Sequence, residues 1–526
     1  MSLFLSLTLT AIQIFIGKKE KISLERCEIM KLSEALAKET KESNKTTTLN
    51  GDKAFKSTKN ANVDLFSVGG SSRELDVNSI KRLISQALLE DKNTALKNIL
   101  YLSDIREGQG ERRFFNIAID FLYTDYPNIL EELIPLIPEY GRWDYLYWII
   151  EKNNFSSPAK KALQLISTEW HKHVDKGDSL MFKWLKSPRT SSKRSRELAS
   201  ITRKYLQLSY EEYSSALSKA RKNLDIVEKK MSRKQWTKIN YPSVPSKASI
   251  IYRDAFLRHD QEGYTKYLED VKNGVRKINT SVLTPVDILK RYNFDGSLIQ
   301  SYDYDETLEL AWKNLPNYLE DTKESILPMV DVSGSMYGFP ITAAVALGIY
   351  FSQRCNSEYK NKFLTFSRYP KLEKLEGNTL KDIINNMSRA EWGTNTDITS
   401  AFNTILKTAI KYNMKQEDLP SKLLILSDMQ FDRCTSGGDI TSQKLAKEAF
   451  KEAGYKLPEL IFWNLNAEYG NQPVKYNKSG TCLISGYNPV ILKFLVDGKL
   501  ESPLETMNRV LNSERYAIID TFKSIK

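Results

Sequence analysis

The sequence predicts a multidomain chain: an N-terminal all-α solenoid followed by a doubly wound α/β domain. Three observations carry this expectation. The length, 526 residues, suits about two to four domains. From Asp76 onward the apolar residues recur at helical spacing, and from Ser325 onward short apolar β-type runs alternate with helices. The expected boundaries are a flexible N-terminal arm over 1–72, a helical module over 73–320 with a basic segment at 181–247, and the α/β domain over 321–526. With 41% hydrophobic and 27% charged residues, composition excludes collagen, a mostly disordered chain and a polytopic membrane protein. Cys27, Cys355, Cys434 and Cys482 lie far apart with no CxxC pair. That excludes a disulfide scaffold and a zinc ribbon, and fits a reducing cytosol, so a cytoplasmic location is expected.

The N-terminus reads SLFLSLTLTAIQIFI, then Lys18, Lys19 and Glu20. A signal peptide would carry its charge before the apolar run and a small-residue cleavage site after it. The run is also short for a membrane span of ~20 residues. The expectation is a start at Met30, where MKLSEALAKETKESNKTT opens as an ordinary soluble chain. The upstream Glu25-Arg26 pair can be encoded by purine-rich codons like those of a bacterial ribosome-binding site. Residues 41–72 are polar and rich in Gly, Ser, Thr and Asn, which predicts a flexible arm.

Ile80, Leu83, Ile84, Ala87 and Leu88 follow the i, i+3, i+4, i+7 rule for one helix face. Further helices are predicted at 93–103, 111–125, 128–138, 143–152 and 158–175, broken at Gly108/Gly110, Pro127, Gly141 and Pro158. Short amphipathic helices with tight turns suggest paired helices stacked in a HEAT-like solenoid, although no clean sequence repeat is visible. The motif Asp104–Arg113 falls at a helix-to-helix turn, where its glycines permit a sharp reversal. It does not follow a strand, which argues against a nucleotide loop. His171 and His173 sit two apart on a helix and point away from one another, which argues against a metal pair.

The formal net charge of +12 is concentrated. Met181–Lys247 holds seventeen Lys or Arg against five Asp or Glu, so the rest of the chain is about neutral. Such a block is an electrostatic footprint for a polyanion. Phe182, Trp184, Tyr205, Tyr210, Tyr213, Trp236 and Tyr241 are interleaved with it, and cations with stacking rings suit single-stranded nucleic acid. The residues expected to touch RNA are Lys183, Trp184, Lys186, Arg189, Lys193, Arg194, Arg196, Arg203 and Lys204. A solvated helix face with its aromatics turned inward would give the same counts.

In the last third, strands are predicted at 326–330, 363–366, 423–426, 460–463 and 481–484, with helices at 341–354, 379–388, 398–412 and 441–453. This alternation implies a parallel sheet covered on both faces, with ligands at the carboxyl ends of its strands. The first strand runs into Asp331-Val-Ser333-Gly-Ser335. A later loop reads Trp392-Gly-Thr394-Asn-Thr396-Asp397, and the strand 423–426 runs into Asp428. Three strand-end loops thus supply carboxylates and hydroxyls, hard oxygen ligands suited to Mg²⁺ or Mn²⁺. The competing use of Ser333 and Thr394 is helix capping.

This arrangement resembles the von Willebrand factor A domain and its metal-ion-dependent adhesion site, over roughly 325–526. The resemblance implies that Asp331, Ser333, Ser335 and Thr394 surround the ion and that Asp428 approaches it, often through water. Thr394 is preferred to Thr396 because the first Thr of such GTxT loops is usually the ligand. A helical module followed by this domain is similar to the TROVE group, which includes the Ro autoantigen and its bacterial relatives. It more closely resembles a sister family found in phages, bacteria and plants. That likeness rests on Asp104–Arg113, Tyr140–Asp144, Trp184–Ser192, Val227–Ser232 and Val244–Ala248, and covers about 75–500. It implies a ring of helical repeats and a cytoplasmic ribonucleoprotein. RNA would bind as small structured molecules or as single-stranded ends, with no membrane association.

Two functions follow from the sequence. One is a non-enzymatic, Ro-like RNA-binding protein with a divalent-metal site. The other is a metal-dependent protein-interaction module that captures a partner carboxylate without RNA. An enzyme is the third reading; metal-bound hydroxyls would serve hydrolysis, but no positioned base is recognisable.

Overall fold

The computed structural model describes residues 43–224, 226–292, 303–367, 369–390, 396–432, 442–495 and 498–524. Contacts divide the chain into Met1–Lys45 and one compact unit, Thr46–Lys526. Within that unit a helical region precedes a six-stranded mixed sheet flanked by helices.

The helical region contains α1 (Ala61–Gly69), α2 (Val77–Glu90), α3 (Lys92–Ser103), α4 (Arg112–Asp125), α5 (Asp144–Lys152), α6 (Ser157–His173), α7 (Lys193–Tyr205), α8 (Tyr210–Asn223), α9 (Ser246–His259), α10 (Gln261–Lys272) and α11 (Glu306–Lys313), joined by shorter turns. Local chemistry starts them. The Asp76 carboxylate accepts from the Asn78 and Ser79 amides at the head of α2, and Ser209 and Glu212 form a reciprocal capping box on α8. In α2 the buried stripe is Ile80, Ile84, Ala87 and Leu88. The segment predicted as one helix over 128–138 is instead three short pieces, because Pro135 and Pro138 each interrupt the ladder.

Residues 46–72 do not form a flexible arm. Every residue of α1 from Asn62 to Gly69 is buried, and α1 packs on α2, α3 and the last strand of the sheet. The Phe55 amide and carbonyl both pair with Gln472 at 2.9 Å, and the Gly70 amide donates to Ser485 Oγ at 2.9 Å. The apolar run of α1 is short and flanked by polar sequence, so composition averaged over the segment concealed it.

The sheet consists of β1 (Ile326–Val330), β2 (Lys362–Thr365), β3 (Leu372–Lys374), β4 (Lys422–Ser427), β5 (Glu459–Asn464) and β6 (Thr481–Ser485). Its order is β3-β2-β1-β4-β5-β6, parallel except for the antiparallel edge strand β3. β1, β4 and β6 are buried at every residue, as a sheet covered on both faces demands. Its helices are α12 (Phe339–Arg354), α13 (Leu380–Ser388), α14 (Ile398–Lys411), α15 (Ser442–Glu452) and α16 (Pro503–Leu511). α12 lies close on β1: a Cβ on Gly348 would fall 2.6 Å from Val330 Cγ2. The three-residue β3 escaped prediction because Leu-Glu-Lys is too short to show a period.

The motif Asp104–Arg113 fastens the helical region to the sheet. Gln109 Oε1 accepts from the Tyr487 and Asn488 amides at 3.0 and 3.1 Å, and Asn488 Nδ2 donates to the Gly108 carbonyl at 2.8 Å. Buried Asp104 receives a two-pronged bond from Arg515, at 2.8 and 3.0 Å, and a third from the Tyr516 hydroxyl at 3.2 Å.

Candidate metal centre and basic concavity

Strand order reverses between β1 and β4, and the crevice at the carboxyl ends of two such strands is where doubly wound sheets bind ligands. Asp331 follows β1 and Asp428 follows β4, and both are buried. Asp331 Oδ1 accepts from the Ser333 amide at 2.9 Å, which folds the loop back on its strand, and Oδ2 accepts from Ser427 Oγ at 2.6 Å. Ser333 Oγ lies 3.3 Å from Ser335 Oγ. The Gln430 amide donates to Asp428 Oδ1 at 3.0 Å, whereas Asp428 Oδ2, also buried, accepts no hydrogen bond among the described residues.

Burial pushes the Asp331 carboxyl up to about 7, and the Asp428 charge adds to the rise. Burial also raises Asp428, with the Ser335 hydroxyl beside it working the other way. Two buried carboxylates with no cationic side chain paired to them among the described residues, one with an oxygen that accepts no hydrogen bond there, and two adjacent hydroxyls form a donor set that fits a hard divalent ion. Among the described residues no group of three or more His, Cys, Asp or Glu could hold a metal; this set leans on hydroxyls instead. Thr394 lies outside the described residues. Thr396 is engaged elsewhere: Oγ1 donates to the Gln430 carbonyl at 2.7 Å and its amide donates to Asp432 Oδ2 at 2.8 Å. It therefore ties the third loop to the second.

Sequence reasoning missed the segment that borders these loops. The Leu49 amide donates to Gln430 Oε1 at 2.7 Å, and Asn50 Nδ2 donates to the Gln430 carbonyl at 2.7 Å and to Thr396 Oγ1 at 3.0 Å. More than three hundred residues separate the partners, so no local signal could have revealed the contact.

The basic block divides by role. Phe182, Tyr213 and Tyr241 are core. Trp184 is half-buried, with the Arg142 guanidinium 4.3 Å from its ring centroid. Lys183 pairs with Glu228 at 3.0 Å, and Lys186 lies 5.2 Å from the Tyr147 ring. Arg194 pairs with Glu151, Arg196 donates to the Thr190 and Ser191 carbonyls, and Arg203 donates to the Leu208 carbonyl. Lys193, exposed, reaches Glu197 at 3.9 Å, and Lys204 is exposed. The structure gathers a different subset: Lys183, Arg189, Arg221, Lys222, Lys229 and Arg233 line one concavity of about 490 Å³, with Glu228 as its acidic member. Arg221 holds the Phe182 and Leu185 carbonyls, whereas Arg189, Lys222 and Arg233 are exposed. The last two were countable within the block but not separable from it, because only the fold brings residues 222 and 233 beside 189.

Residues 325–523 match the family model described as Domain of unknown function (DUF7788), and residues 48–139 and 181–324 match Domain of unknown function (DUF2828). The boundary between the two matches falls immediately before β1. An uncharacterized protein of Acanthamoeba polyphaga mimivirus is 29% identical over 519 residues, covering 90% of this chain and 88% of its own length. A crystal structure of the Deinococcus radiodurans RO (RSR) protein is similar over 82% of this chain and 91% of that chain, at 13% identity and a TM-score of 0.35. A likeness that loose carries no functional argument. No helix among the described residues is long and apolar enough to cross a membrane.

Proposed function

We propose that this chain is a non-enzymatic RNA-binding protein of Ro type, with a HEAT-like helical module and a von Willebrand factor A-like domain holding Mg²⁺ or Mn²⁺. The observation that carries the RNA reading is the concavity in which Arg189, Lys222 and Arg233 stand exposed beside Lys183, Arg221 and Lys229. Six cations against one carboxylate suit the phosphates of a single strand or of a small structured RNA. Trp184, with one face under Arg142, is the ring available for stacking nearby. In the A-like domain, Asp331, Ser333, Ser335 and Asp428 would hold the ion, with Thr394 as the expected further ligand. When bound, the ion supplies Lewis acidity toward an outside carboxylate or phosphate.

Salt dependence tests the RNA reading. Affinity of the full chain for single-stranded RNA should fall with salt at a log–log slope of about −0.7 per phosphate contact. Charge reversal at Arg189, Lys222 and Arg233 should weaken binding and flatten that slope together. Unchanged affinity and slope in the triple variant would reject the concavity as the site. One observation favours protein capture as a second reading: Tyr337, next to the metal loop, is 76% exposed. Pull-down of a protein partner that needs Mg²⁺ and is lost with Tyr337→Ala would move that reading ahead.

A further inference from the structure

A second cavity, of about 460 Å³, lies between the helical region and the carboxyl edge of the sheet. Its volume falls in the range that accommodates a small ligand. Arg73, Arg112, Arg142, Lys247 and Lys290 line it, together with the Phe339 ring at the start of α12. Three of the cations have their own carboxylates: Arg73 with Glu111, Arg142 with Asp144, and Lys247 with Asp287 at 3.1 Å. The other two do not. Arg112 reaches only Asp144, at 4.0 Å, and that carboxylate is already taken by Arg142. Lys290 has no carboxylate partner among the described residues; its Nζ stands 5.7 Å from the Phe339 ring centroid.

The cavity thus holds two uncompensated positive charges, brought from residues 112 and 290 to one space. Both side chains are exposed, so water and salt screen their mutual repulsion, and a dianion placed between them meets two cations that lack carboxylates of their own. Arg112 is about half exposed and lies 6.0 Å from the Tyr145 ring centroid; its ion pair with Asp144 is long, so a dianion in the cavity competes for its donors. Arg73 lies 4.1 Å from the Phe339 ring and 4.3 Å from the Tyr487 ring, fixing an aromatic wall between the two parts of the unit.

We propose that this junction cavity is a binding site for a phosphomonoester, its dianion held by Arg112 and Lys290 and its organic part lying along the Phe339 wall. The cavity shares no lining residue with the basic concavity or with the candidate metal ligands, and the proposal does not depend on either assignment. Its ligand touches both the helical region and the sheet, so binding stabilises the junction.

Titration calorimetry on the full chain tests it, with inorganic phosphate, ribose 5-phosphate and AMP in buffers of matched ionic strength. Saturable binding of at least one is expected, weakened roughly tenfold or more by Arg112→Glu or by Lys290→Glu. The double variant Arg189→Glu/Arg233→Glu, in the other concavity, should leave it unchanged. Tighter binding of ribose 5-phosphate or AMP than of phosphate is expected and assigns the sugar or the base to the Phe339 wall; equal affinity for phosphate and AMP overturns the role of that wall. Melting curves accompany each variant. Should Arg112→Glu fail to fold, Lys290→Glu decides, since it breaks no ion pair among the described residues. No saturable binding of any probe, binding unchanged by Lys290→Glu, or binding lost equally in Arg189→Glu/Arg233→Glu overturns the proposal.

Discussion

The substitution Asp331→Asn separates the metal reading of the strand-end loops from a purely structural one. In the ion-free fold, the Asp331 carboxyl is pushed up to about 7 by burial and by the neighbouring Asp428. Unfolded, it returns to an ordinary value near 4. Between these two values the folded chain keeps a proton that the unfolded chain releases. Stability of the ion-free protein therefore declines as pH rises from about 4 to about 7 and is flat above. The difference of about three units, at about 1.4 kcal/mol each, places the cost at about 4 kcal/mol at pH 8. A divalent ion at one hundred times its Kd offsets about 2.7 kcal/mol of this. Asparagine keeps the shape and the bond from the Ser333 amide but carries no charge; it leaves the Ser427 hydroxyl with a poorer partner, at about 1–3 kcal/mol. Differential scanning calorimetry at pH 5 and pH 8, in EDTA and in Mn²⁺, reads the outcome. Wild type should melt lower at pH 8 than at pH 5 in EDTA, and Mn²⁺ should raise Tm at pH 8. In Asp331→Asn the pH 8 deficit should shrink and the Mn²⁺ response should vanish. A wild-type Tm indifferent to Mn²⁺ at pH 8, or a response that survives the substitution, refutes the assignment.

Two further outcomes concern the contacts between the helical region and the sheet. Arg515→Ala leaves Asp104 buried with, among the described residues, only the Tyr516 hydroxyl and the Arg106 amide as partners, so urea unfolding should show a loss of about 3–5 kcal/mol; a loss below about 1 kcal/mol would mean that water reaches the carboxylate. Gly486 has φ of 105°, and a Cβ there would stand 2.1 Å from Gln109 Oε1. Gly486→Ala should therefore cost about 1–3 kcal/mol and expose the 108–110 loop to faster amide exchange, whereas the same exchange pattern in both proteins would show that the Gln109 clamp is not what closes this junction.

Much of the α/β domain was legible because its signals are local. Continuous apolar runs of four to six residues set apart by amphipathic helices specify a covered parallel sheet, and β1, β4, β5 and β6 fall within a residue of expectation. Asp331, Ser333 and Ser335 occupy neighbouring chain positions, so their grouping followed from one loop, and Asp428 from the rule that such sheets bind at strand ends. The helices from Asp76 to His173, apart from the proline-divided 128–138, were legible for the same reason, as periodicity in side chains three and four apart.

The tertiary structure decided what depends on partners distant in the chain. Among the basic residues, charge alone could not say which are consumed. Arg194 meets Glu151 and Arg196 meets nearby carbonyls, while Arg189, Lys222 and Arg233 remain exposed around one concavity. The sequence of α1 looked like part of a polar arm because the surfaces that bury it, α2, α3 and β6, come from elsewhere in the chain. The motif Asp104–Arg113 was recognisable as a turn, but its partners Tyr487, Asn488 and Arg515 lie 378 to 411 residues away. A chain sequence specifies periodicity and local caps directly. Burial, ion pairing and the cavity shared by Arg112 and Lys290 exist only once long-range packing has brought their residues together.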